Sequence, residues 1–219
     1  MIKQRIGLLA GLTMLTTSVF AGTPTGTDML FDASSFDDVK VGTTLTYSHV
    51  RSADENIPVR AIEGGSVTVG RIESDGDAER TVVTLKNGKA RRELDHLPAD
   101  RGNPIFVVFL ESSVNSVTFA TKGSPFYIRN RMKEAFSSGG RVTETSVELD
   151  GAEVNATQIE YHPFKGDRNA EKMGAAFENL SVQFTLSDSV PGRFISMVTQ
   201  AKVDETVYFV EEIRFNGKE

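Results

Sequence analysis

The 219-residue chain has no cysteine and no tryptophan, only three histidines and only seven prolines. Without cysteine there can be no disulfide, no thiolate nucleophile, no thiolate metal site and no lipid-bearing cysteine behind a leader. Burial and hydrogen bonding must therefore hold the fold, and a chain of this length can bury enough apolar surface to do so. The short patterns that mark common chemistries are missing as well: HExxH, GxSxG, a Walker loop and a dinucleotide fingerprint are all absent. There is no basic block either. Arg91 with Arg92, and Arg129 with Arg131, are the local basic clusters, in a chain of formal charge −6. That balance argues against nucleic acid and anionic membrane surfaces as main partners.

What is present begins with a leader. Lys3 and Arg5 precede an apolar and small-residue run from Ile6 to Phe20, and Val19, Phe20 and Ala21 offer a cleavage site. The run is short for a membrane span. Residues 1–21 therefore read as a signal peptide, and the protein as periplasmic or secreted, with no stable membrane insertion after cleavage. Removing the two leader bases leaves 22 basic against 30 acidic residues, a formal charge of −8. Residues 22–42 read as a flexible leader and anchor, with Leu30, Phe31 and Phe36 as the anchoring side chains.

Helical character is concentrated between Asn103 and Gly139, within a β-rich domain expected over residues 43–219. Asn103 with Pro104, and Ser124 with Pro125, are cap and first-turn pairs, because the side chain can accept an orphan N–H and proline has none to leave unpaired. The spacing predicts a helical pair at about 104–138. In the first helix Phe106, Phe109, Leu110, Val117 and Ala120 share a face at a period of 3.6, and the opening turn is apolar all round. In the second, Ile128, Met132, Ala135 and Phe136 form the stripe, and Gly139 supplies a left-handed stop.

Elsewhere the chain alternates with period two. Leu45, Tyr47 and His49 fall on one side of a strand over Thr43 to Arg51, and Leu180, Val182, Phe184 and Leu186 alternate strictly with polar residues. Pro58 demotes Ile57 to Ile62 to an edge run, Gly64 and Gly65 suggest a turn, and Asn87-Gly88 and Asp150-Gly151 are hairpin signals. About ten strands with one apolar face need a cover, and the helical pair is the cover available. The expected fold class is α+β: a mainly antiparallel, strongly curved sheet, an open or half barrel, covered by an inserted pair of helices.

No residue pattern here points to catalysis, a metal or a cofactor, and the chain reads as a non-enzyme. His49 lies on the apolar side of its strand, where a core histidine with one hydrogen bond is the ordinary occupant. Asp75, Asp77 and Glu79 form an acidic hairpin tip, which solvation explains without calcium. Glu211 interrupts the apolar side of the last strand and needs a partner, for which Arg193 and Lys202 of the preceding strand are the candidates. Two functional readings stand. In the first, a cavity between the curved sheet and the helices takes a hydrophobic ligand, a lipid or a lipidated group, and Phe106, Phe109, Leu110, Phe126 and Tyr127 line it. In architecture alone this resembles the half-barrel carriers that ferry lipoproteins or lipids across the bacterial periplasm. In the second, the same aromatics are core and the surface binds another envelope protein.

Overall fold

The structure, a computed structural model, describes residues 24–73, 79–97 and 102–218. The leader expected over residues 1–21, the acidic tip expected at Asp75 and Asp77, and the side chain of His96 lie outside the described residues. Nine strands form one antiparallel sheet that does not close: β1 Thr44–Ala53, β2 Ile62–Glu73, β3 Glu79–Asn87, β4 Ala90–Leu97, β5 Arg141–Leu149, β6 Ala152–Tyr161, β7 Ser181–Leu186, β8 Phe194–Val203 and β9 Thr206–Lys218. Their order is β4-β3-β2-β1-β9-β8-β7-β6-β5, so two meanders meet where the first strand pairs with the last. Four α-helices lie among the described residues: α1 Gly26–Leu30, α2 Pro104–Thr121, α3 Pro125–Phe136 and α4 Ala175–Glu178. The expected half barrel with an inserted helical cover is the architecture observed.

Local chemistry sets the helix boundaries. Asn103 Oδ1 accepts from the Ile105 amide at 3.1 Å, while Asn103 Nδ2 donates to the Gly192 carbonyl at 2.6 Å. The cap of α2 is thereby tied to the turn between β7 and β8. Ser124 caps α3, and Ile128, Met132 and Phe136 bury the face that the spacing predicts. Each such side chain contributes roughly 1.5–3 kcal/mol when fully buried. α2 is long and apolar enough to cross a membrane, with a mean hydropathy of 1.3, but half of it is buried inside the fold. It lies across both meanders, touching β2 and β3 in one and β8 in the other.

Three local expectations are corrected. Gly64 and Gly65 do not turn the chain but lie inside β2, and the run from Ile57 to Arg60 forms no strand. Between the pairs His49↔Gly65 and Arg51↔Ile62, one residue of β1 opposes two of β2, which is a bulge. A Cβ on Gly65 would approach the His49 carbonyl oxygen to 2.8 Å, so glycine serves here for close backbone approach. The hairpin after β3 turns one residue later than Asn87-Gly88, because Asn87 pairs with Ala90. Of the anchoring side chains, Leu30 and Phe36 are buried, and Phe31, 54 % exposed, rests edge-on against Phe106 at 5.4 Å.

Candidate functional site

The space expected between sheet and helices is packed with rings. Phe106 stacks on Phe194 at 5.7 Å and meets Phe184 at 5.5 Å, and Phe109 meets Phe184 edge-on at 5.7 Å. Phe136 adds an edge contact to Tyr161 at 5.0 Å. Such pairs contribute about 0.5–1.5 kcal/mol each beyond their buried area. Phe106 and Phe109 are thus buried in the core of the covered sheet. Phe126 is 72 % exposed at the start of α3, and the Tyr127 hydroxyl donates to Asp167 at 2.6 Å. Burial first, then that acceptor and its charge, push the Tyr127 hydroxyl up to about 12. The five predicted lining residues are therefore not brought together, and Leu110 lines an open apolar space.

That space is a groove of about 410 Å³ along the seam of α2 and α3, walled on one side by α1. On α3, Arg129, Met132, Lys133 and Phe136 recur at helical spacing and face it; α2 contributes Leu110, Glu111 and Val114, and Thr27 and Phe31 complete the wall. Val114, Met132 and Phe136 are buried and make an apolar floor. At the rim Arg129 Nη2 donates to both Glu111 oxygens, at 3.2 and 2.9 Å. α1 is fastened over this seam. Thr25 and Asp28 form its capping box, the Thr27 hydroxyl donates to the Phe136 carbonyl, and Leu30 is buried.

A second polar constellation sits under α2, centred on Glu211, which has no exposure. Oε1 accepts from His49 Nε2 at 2.8 Å, from Arg51 Nη2 at 2.7 Å and from the Ser112 hydroxyl, while Oε2 accepts from Ser116 at 2.7 Å. Neither Arg193 nor Lys202 is its partner. Arg193, in the turn before β8, binds Asp188 and Asp32, at 2.9 and 3.3 Å. The partners come instead from β1, because β9 pairs with β1 on its other side and places Arg51 directly opposite Glu211. Thr199 lies opposite Glu211 on β8 and shares a 2.8 Å hydrogen bond with Ser113. Burial alone would push the Glu211 carboxyl up; the bonds from His49 and Arg51, the Arg51 charge and the Ser112 hydroxyl reverse this and hold it down at about 2. The carboxylate has four donors, so this cluster pins α2 to the seam of the sheet. No group of three or more His, Asp or Glu side chains suited to a metal gathers among the described residues.

The sequence assigns Met132 and Phe136 to a core stripe and reads Arg129 with Arg131 as a solvated helix face, and it does not show the groove that Arg129 and Lys133 rim. Arg129 and Lys133 adjoin that stripe at i and i+4, and this spacing is the signal that the face has a polar rim.

Fold and groove together define an open half barrel whose helical cover carries an apolar cleft on its seam. No family model matches the chain, and no curated protein matches it. Among solved structures it is similar to LprF from Mycobacterium bovis, at 10 % identity and a TM-score of 0.33 over 88 % of this chain and 92 % of that one. It is also similar to the beta-barrel-like protein of a domain of unknown function from Brucella abortus, at 11 % identity and a TM-score of 0.21 over 81 % of this chain and 96 % of that one.

Proposed function

We propose that the protein is an exported, non-catalytic carrier or binding protein, and that the groove between α1, α2 and α3 takes the apolar part of a small molecule or lipid. The single observation behind this reading is the composition of the groove. Phe31, Leu110, Val114, Met132 and Phe136 give it a continuous apolar lining of about 410 Å³ within a charged rim, in the size range of small-molecule sites. The leader, Lys3 and Arg5 followed by the apolar run to Phe20, supports export. Titration with the neutral apolar fluorophore N-phenyl-1-naphthylamine tests the site. Phe31→Ser and Leu110→Gln change side chains that are not in the closed core, so both variants should fold, and each should weaken binding about tenfold. Unchanged binding in both variants would remove the groove from consideration.

A second reading, an envelope interaction module, is favoured by a different observation. Phe119 and Phe126, on either side of the turn from α2 to α3, are 67 % and 72 % exposed. A partner that co-purifies with the native chain and is lost from a Phe119→Ser, Phe126→Ser double variant would support it.

A further inference from the structure

The charges at the mouth of the groove are unequal. Three charged side chains line it, Glu111, Arg129 and Lys133. Glu111 is engaged by both contacts from Arg129, whereas Lys133 is exposed and forms no ion pair among the described residues. One cation is thus left without a counter-charge beside an apolar floor, on a chain whose formal charge is −6. Volume sets a second limit. Taking a methylene as about the size of a water, roughly 30 Å³ in a liquid, the groove of about 410 Å³ accommodates about a dozen methylenes. That is one chain of medium length and not the pair carried by a phospholipid.

Building on the carrier reading, we infer that the ligand class is a single-chain amphiphile with an anionic head, of the fatty-acid type. Its chain lies on Val114, Met132 and Phe136 between Phe31 and Leu110, and its carboxylate is met by the Lys133 ammonium. The last turn of α3, where Lys133 stands, also suits a cation for the helix's own sake. The test must therefore separate head-group recognition from helix stability.

Dodecanoate, dodecanol, dodecylamine and a dipalmitoyl phosphatidylglycerol are compared as competitors of N-phenyl-1-naphthylamine, each below its aggregation concentration, on the mature chain and on Lys133→Met, Lys133→Glu and Lys133→Arg. Dodecanoate should bind about tenfold more tightly than dodecanol, and dodecylamine most weakly of the single-chain probes. Read as the ratio of dodecanoate to dodecanol affinity within each variant, the preference should vanish in Lys133→Met, invert towards the amine in Lys133→Glu and persist in Lys133→Arg. Equal binding of dodecanoate and dodecanol, unmoved by Lys133→Glu, would overturn the anionic assignment and leave the groove reading standing. Tighter binding of the two-chain lipid than of dodecanoate would overturn the single-chain assignment. If none of the four displaces the fluorophore, the groove reading fails and this inference fails with it.

Discussion

A carboxylate with no contact to water survives only if its donors replace the hydration it has lost, and Glu211 has four of them. Folding lowers its proton affinity from the ordinary 4.5 to about 2. Between those values the unfolded chain binds more protons than the folded one, so stability falls as the pH drops through that window and is fully present above it. At 1.36 kcal/mol per unit, the acid-sensitive contribution is about 3 kcal/mol. Glu211→Gln should therefore flatten the stability profile between pH 5 and 2, measured by urea unfolding at stepped pH. At neutral pH it should cost about 3 kcal/mol or more, because Arg51 and His49 are left facing a neutral amide. A variant whose acid limb matches that of the parent would show that Glu211 is not the titrating group. The oddness of Glu211 is visible in the sequence, since it breaks an apolar alternation. Its partners are not, because they depend on the register of β9 against β1, 160 residues away in the chain for Arg51, and local pattern carries no information about that pairing.

At the level of elements, cap chemistry made the helical pair legible: Asn103-Pro104 and Ser124-Pro125 mark both starts to the residue. The β-branched residues of α2 did not prevent a helix, because its length and the burial of Ile105, Phe106, Val108, Phe109, Val114 and Val117 outweigh propensity. Gly64-Gly65 misled because a glycine pair signals a turn and a bulge alike, and only the neighbouring strand decides between them. The groove was hidden for a related reason. It lies on the outer seam of the two helices, and its third wall, α1, docks through a glycine. A Cβ on Gly26 would fall 2.4 Å from the Gly139 carbonyl oxygen and 2.9 Å from the Tyr161 hydroxyl. Gly26→Ala should therefore push α1 away from the sheet at a cost of about 1–3 kcal/mol. Hydrogen exchange should accelerate in residues 26–36 while the strands keep their protection, and fluorophore affinity should fall with the lost Phe31 wall. Unchanged exchange in α1 would mean that the contact relaxes without displacing the helix.

For the whole molecule, the decisive feature is where the two meanders join. β1–β4 and β5–β9 are each antiparallel strands laid side by side in chain order, the second set interrupted by α4 between β6 and β7, and β1 and β9 join the two sets by pairing over Leu45 to Ala53 against Lys218 to Phe209. The same seam carries Tyr47 edge-on to Phe215 at 5.5 Å and the Glu211 cluster, and α2 crosses it from above. The buried cluster accordingly draws Val67, Val69 and Val83 from one meander and Ile159, Val182, Phe184 and Met197 from the other without interruption. Separating the halves would expose those side chains and strand Glu211 without Arg51, so partial unfolding costs nearly as much as complete unfolding. The chain should lose its far-ultraviolet and near-ultraviolet circular dichroism in a single coincident transition, and Glu211→Gln should shift that midpoint without splitting it. Two separated transitions, or a half that keeps its protection after the other has exchanged, would mean that the β1–β9 ladder joins two independent units and that the helical cover belongs to only one of them.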